Sequence, residues 1–254
     1  MHFPFGQPVV ALRQPPLSDA AVFVLGVYPS AVHARWLYPD GGVRVVALAV
    51  ASEPELFWRG ENAAEIISAI SVPAGAGRLE PAGLGLNGSY GLALDKHYLA
   101  PLGLTRRLAW LCHLLPESRL HSGQAAAIEE RYASVACAHR LPAATVPPMP
   151  SRYASDERVE EIAAEFIASG ATTLLTLGDA PLKEFVARLG LHRNTSLAAF
   201  GKTPGDYGKR HSVTLRGKRF ELLPLVHLRE AAQLGDYSRA WAQCHFAWVG
   251  QVSG

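Results

Sequence analysis

The sequence is poor in cysteine, and it has no long hydrophobic run. Cys112, Cys137 and Cys244 are odd in number and widely spaced, which argues against a disulfide framework or a CxxC-type zinc site and fits a reducing cytoplasm. No stretch of about 18 uncharged apolar residues occurs, and Met1-His2-Phe3-Pro4-Phe5-Gly6-Gln7-Pro8 lacks a basic segment followed by an apolar one. A soluble, unexported, cytoplasmic chain without membrane contact is therefore expected. Charge of one sign is lacking too: 24 Lys plus Arg stand against 22 Asp plus Glu, a net of +2. Any nucleic-acid partner must be held by a local basic patch. With 49% hydrophobic and 18% charged residues among 254, the chain has enough apolar material for a core and too little charge for a disordered polymer.

Several short apolar runs read as buried strands. Ala20 to Gly26 and Leu108 to Leu115 are continuous and end at glycine and before proline, and Thr172 to Leu177 is a third. Ala31 to Tyr38 and Val43 to Ala51 flank Pro39-Asp40-Gly41-Gly42, a hairpin turn. A second hairpin joins His211–Arg216 to Arg219–Leu223 through Gly217-Lys218. Helices are expected after Asn62 as cap, over Leu94 to Leu104, from Ser122 to Tyr132, from Ser155 as cap to Gly170 as the C′ residue, after Gly178-Asp179 to Leu189, and over Asp236 to Val249. The glycine- and proline-rich segment 73–88 and the proline-rich segment 142–150 read as loops. Strand–glycine–helix punctuation recurs near Gly26 and Gly178, and no solenoid-period repeat occurs. The pattern predicts one α/β domain over residues 1–254, with a mainly parallel central sheet and β-hairpin insertions.

Two familiar site motifs fail on context. Gly83, Gly85 and Gly88 match G-x-G-x-x-G in spacing, but a loop leads in where dinucleotide binding needs a strand. Ser89 sits in Asn87-Gly88-Ser89-Tyr90-Gly91, with Asn where a hydrolase nucleophile elbow needs glycine. Each cysteine has a histidine nearby, without the ligand spacing of a zinc site.

A longer ordered pattern carries more information. Gly26-Val27-Tyr28-Pro29-Ser30 ends the first strand. Gly88-Ser89-Tyr90-Gly91-Leu92-Ala93-Leu94-Asp95, Gly103-Leu104-Thr105-Arg106, a strand with His113, Leu174-Leu175-Thr176-Leu177-Gly178 and Leu223-Pro224-Leu225-Val226-His227-Leu228-Arg229 follow in that order. Over roughly residues 20 to 250 this resembles the uracil-DNA glycosylase superfamily, particularly its thermophile and bacterial branches. The resemblance implies a three-layer αβα sandwich and a DNA-repair glycosylase that hydrolyses the N-glycosidic bond of uracil or another deaminated base. It also implies a base pocket made by Gly26, Val27, Tyr28, Pro29, Gly88 and His113. His113 would read the base edge, and His227 would donate to the base carbonyl as charge develops. Ser30 and Arg229 would approach the DNA backbone. DNA with an extruded base would be the partner, and the chain would act as a monomer.

The chemistry accounts for these residue types. Breaking an N-glycosidic bond leaves an anionic base, which a preorganised neutral donor stabilises late in the reaction. The sugar cation needs a positioned water, and the duplex must release the base into a pocket. Relatives carry Asp, Asn or Glu in the first turn, whereas this chain has Val27 and Tyr28. The branch without a polar residue in that turn uses an Asp in the glycine-rich segment, for which Asn87 is the nearest equivalent. Leu228 and Arg229 replace the proline and small residue that usually follow the late histidine. The iron–sulfur branch needs four cysteines, so no cofactor or metal is expected.

Eight Lys or Arg lie among residues 188–219 with one acid, Asp206, and of these Arg216, Lys218 and Arg219 are expected to contact DNA phosphates. Besides a glycosylase, the sequence admits a catalytically silent homologue that binds nucleic acid or a nucleobase, which Val27 and Tyr28 favour. It also admits another hydrolase on the same scaffold, for which no nucleophile constellation is present.

Overall fold

The computed structural model describes residues 1–15, 19–83 and 85–253, so that Leu84 of the glycine-rich segment lies outside the described residues. The strands are β1 (Val22–Gly26), β2 (Ala31–Leu37), β3 (Val43–Ser52), β4 (Arg78–Pro81), β5 (Ala109–His113), β6 (Thr173–Leu177), β7 (His211–Leu215) and β8 (Lys218–Leu225). The chain divides into two compact units. One takes in Met1–Leu12, Tyr28–Ser89 and Pro116–Ser151; the other takes in Arg13–Val27, Tyr90–Leu115 and Arg152–Gly254.

The second unit is a mixed α/β structure around a five-stranded sheet of order β5-β1-β6-β8-β7. The first four strands are parallel and β7 runs antiparallel to β8. Every residue of β1, β5 and β6 is buried, which is why their sequences read as continuous apolar runs. Each fully buried Val, Leu or Phe contributes about 1.5–3 kcal/mol. Helices flank this sheet. The helix Asp156–Ala168 begins as expected, with the Ser155 hydroxyl accepting from the Arg158 N–H at 3.1 Å, and Gly170 follows its end at φ 72°. Its Phe166 ring meets Phe23 of β1 at 5.3 Å and Phe220 of β8 at 4.5 Å.

The first unit holds the antiparallel sheet β3-β2-β4, with Trp36, Trp58, Tyr132 and Phe3 in its core. The expected β2–β3 hairpin is present. Segment 73–88 is not all loop: β4 pairs with β2 from Arg78 to Pro81. Arg78-Leu79-Glu80 carries no glycine, and the surrounding punctuation concealed it. Gly77, at φ 94°, lets β4 approach so closely that a Cβ there would lie 1.9 Å from the Leu37 carbonyl oxygen.

Other boundaries move for identifiable reasons. Asn62 precedes the helix Ala63–Ser68 but stands at φ 57° and makes no side-chain cap. The helix expected from Ser122 to Tyr132 continues to His139. The β7–β8 turn uses Arg216 and Gly217, at φ 49° and 79°, rather than Gly217-Lys218. Two consecutive positive angles are what a type I′ turn needs. The final helix is Arg239–Val252, capped by Ser238, and so starts later than Asp236. Among the described residues no helix is long and apolar enough to cross a membrane.

Candidate functional site

In an open parallel sheet, ligands settle outside the carboxyl ends of the strands, where the strand order reverses. The chain passes from β1 out to β5 and then back across to β6, so the reversal lies between β1 and β6. Gly26 and Val27 end β1, His113 ends β5 in register with Gly26, and Gly178 follows β6. His227 follows β8 by two residues. Its Cβ lies 3.2 Å from where a Cβ on Gly178 would stand, which places it beside the reversal.

The electrostatics of the two histidines are matched. Burial lowers the His113 pKa to about 3, helped by the charges of His227 and Arg158. Burial and the neighbouring Arg229 lower that of His227 to about 4. Both imidazoles are therefore neutral at physiological pH. The His227 tautomer is also fixed. Its Nδ1 accepts the Arg229 backbone N–H at 3.2 Å, capping the short helix Leu228–Ala232. The proton must then sit on Nε2, and among the described residues no acceptor takes it. The Tyr90 ring meets His227 edge-on, with centroids 5.5 Å apart.

Arg158 holds the end of β5 in place. Its side chain is 8% exposed and donates to the carbonyls of His113 at 2.8 Å and Leu114 at 3.2 Å. Glu161 and Glu165 balance its charge, each at 3.0 Å. Cys112, beside it, has its thiol pushed far up by burial and by Glu165, so it is no nucleophile.

Of the residues singled out in the sequence, Gly26, Val27, His113, His227 and Arg229 share this unit and gather at the carboxyl ends of the strands. Tyr28, Pro29, Ser30, Asn87 and Gly88 belong to the first unit. There Asn87 is engaged on both sides of its amide: Oδ1 accepts the His33 N–H at 2.8 Å and Nδ2 donates to the His33 carbonyl at 2.9 Å. This two-point clamp falls at a register shift in the β2–β3 pairing. Gly88 stands at φ 81° against the backbone of Arg59 and Gly60, where a Cβ would come within 2.1 Å. The Ser30 carbonyl accepts from the Ser118 hydroxyl at 2.8 Å. The carbonyls of Gly26 and Val27 already accept the N–H groups of Leu114 and Leu115, at 3.0 and 2.9 Å.

Arg216, Lys218 and Arg219, expected to contact DNA phosphates, lie at the other end of β8 from His227. They lie at the amino end of β8, and Lys218 to Leu225 spans roughly 23 Å at about 3.3 Å per residue. Arg216 pairs with Glu160, and Arg219 donates to Ser212. Hairpin polarity sets this distance: the basic turn precedes the histidine in sequence but sits at the other end of the strand. Among the described residues no group of three or more His, Cys, Asp or Glu is placed to hold a metal ion.

Sequence reasoning did not single out Tyr98, Arg158, His245 or the positional role of Tyr207. Each is an unremarkable residue of a helix or loop whose partners are distant in sequence. Compared with known proteins, the chain matches no family model, and no curated protein matches it significantly. The class shown is thus a mixed α/β protein with a mainly parallel central sheet.

Proposed function

We propose that this chain is a DNA glycosylase of the uracil-DNA glycosylase type, a three-layer αβα protein acting on a deaminated base extruded from DNA. The base enters at the carboxyl ends of β1, β5, β6 and β8. The N-glycosidic bond breaks and its electron pair departs with the base; water adds to the sugar carbon and loses one proton to solvent, and solvent in turn returns a proton to the released base. His227 stabilises the departing anion by donating Nε2–H to the base carbonyl, with His113 reading the base edge.

The observation that carries this reading is the fixed neutral tautomer of His227. A cationic imidazole would be an acid, whereas a neutral one held by a backbone N–H is a preorganised dipole. Such a donor acts most strongly on charge that exists only late in the reaction. Arg229, exposed and adjacent, suits a phosphate contact.

A second reading, binding of nucleic acid or a nucleobase without cleavage, is favoured by a different observation. Val27 and Tyr28 replace the usual first-turn acid or amide, and the carbonyls of Gly26 and Val27 and the amide of Asn87 are already engaged. The two are separated by single-turnover release of base from uracil-, hypoxanthine- and xanthine-containing oligonucleotides, run beside a binding titration. Release supports the glycosylase, binding without release supports the second reading, and absence of both removes the function altogether.

A further inference from the structure

Beyond β8 the chain has no strand partner for Val226, yet Val226 is 1% exposed. Buried peptide groups need partners, and two tyrosines supply them. The Val226 N–H donates to the Tyr207 hydroxyl oxygen at 2.9 Å. The Tyr98 hydroxyl donates between the carbonyls of Val226 and His227, at 3.1 and 3.2 Å. Both peptide planes leading into His227 are thereby held by phenols.

The direction of each hydrogen bond follows. The His97 carbonyl can only accept, so His245 carries its proton on Nε2 and donates to it at 3.0 Å. Nδ1 of the neutral ring is then the acceptor, and the Tyr207 hydroxyl, which receives the Val226 N–H, donates its own proton there at 2.8 Å. That carbonyl is available because its α-helical partner would be the N–H of residue 101, and Pro101 has none. His245 is fully buried, and burial lowers its pKa to about 4, while burial raises both tyrosines well above the ordinary phenol value. One proton arrangement therefore persists across physiological pH. Packing fixes the parts: the Tyr98 and His245 rings lie 4.3 Å apart, and Trp248 lies 5.4 Å from His245. Gly208, beside Tyr207, has no room for a side chain, since a Cβ would stand 2.1 Å from the Trp248 ring.

We infer that Tyr98, Tyr207 and His245 are positioning residues for His227, an unbroken hydrogen-bonded unit from the Pro101-freed carbonyl to the peptide that aims the imidazole. The catalytic consequence rests on the reading of His227 as the donor to the departing base.

The test substitutes Tyr98→Phe and Tyr207→Phe separately and follows the His227 ring nitrogens by ¹⁵N NMR, alongside thermal unfolding, binding to a uracil-containing oligonucleotide and single-turnover release. The expected result is a folded protein whose His227 nitrogens move from a single tautomer toward averaged values. Release should fall roughly ten- to a hundred-fold, the scale of a small misplacement, with oligonucleotide affinity within about twofold. A folded variant whose His227 spectrum is that of the wild type overturns the inference. If Tyr207→Phe does not fold, Tyr98→Phe decides, because it deletes only a donor to two carbonyls. Release by the wild type tests the glycosylase reading alone, and the imidazole spectrum tests the positioning whether or not any base is released.

Discussion

The basic turn at the amino end of β8 and the two histidines at the carboxyl ends of the strands are kept in opposite states. At the amino end of β8, Arg216, Lys218 and Arg219 are exposed and keep their charge in water, with Glu160 and Ser212 as partners. At the carboxyl end, His113 and His227 are stripped of charge by burial and, for His227, given one tautomer by a backbone N–H. Exposed cations attract anions over a distance but are screened and mobile. Neutral, fixed donors attract little until charge appears next to them. The first end presents exposed charge, and the second presents neutral donors of the kind the proposed reaction would use.

The largest effect that would break this contrast is loss of the donor. His227→Ala should lower single-turnover release by about a hundred- to a thousand-fold, equivalent to about 2.7–4 kcal/mol, while leaving oligonucleotide binding nearly intact. An equal loss of binding would show that His227 serves the ground state instead. The pH profile sharpens the point. A group with pKa about 4 stays neutral between roughly pH 5 and 8, so release should be flat there as far as His227 is concerned and fall below about pH 4. Stability has the matching sign. The folded pKa values of His113 and His227 lie below the unfolded value of about 6.5, so the unfolded chain takes up protons first. Urea midpoints should be level above about pH 6.5 and decline as pH falls toward 4.

Next in size comes the support of β5. Arg158→Met removes three donor contacts from the carbonyls of His113 and Leu114 and from Cys112, and leaves Glu165 with Arg13 and the Cys112 thiol. Buried acceptors without partners cost about 1–3 kcal/mol, so a loss of about 3 kcal/mol in urea unfolding is expected. A smaller loss would mean that water replaces the guanidinium. Gly178→Ala is expected to cost about 1–3 kcal/mol in stability, because φ 83°, ψ −168° is a conformation that essentially only glycine adopts. Its Cβ would press on His227 at 3.2 Å, so release should fall further than stability alone explains.

The strands were legible where burial on both faces left an unbroken apolar signal, as in β1, β5 and β6. β4 was hidden because four residues between glycines and prolines carry no periodicity, and its pairing with β2 is a tertiary fact. The strand carrying His113 was legible but was expected to run to Leu115, whereas it ends at His113; both histidines were picked out through the resemblance rather than through local pattern. The clamp of Asn87 on His33, and the hold of Tyr98 and Tyr207 on Val226, could not be read in the sequence, because they join residues 54, 128 and 19 positions apart. The basic turn was found, but its distance from His227 was not legible, since composition counts charges along the chain and cannot tell which way a hairpin points.

The basic turn supplies the smallest effect. Replacing Arg216, Lys218 and Arg219 together by Gln removes one exposed ion pair, worth at most about 1 kcal/mol, and leaves the I′ turn to Gly217 and its neighbour. The site is roughly 23 Å away along β8, more than two screening lengths at physiological salt. Base release at saturating enzyme should therefore stay within about twofold of wild type. Arg229→Gln, next to His227, should instead weaken oligonucleotide binding and reduce its salt dependence by about one phosphate contact. If the triple variant lowers the salt dependence and Arg229→Gln does not, DNA is held at the amino end, and the sheet divides its work between attraction at one end and chemistry at the other.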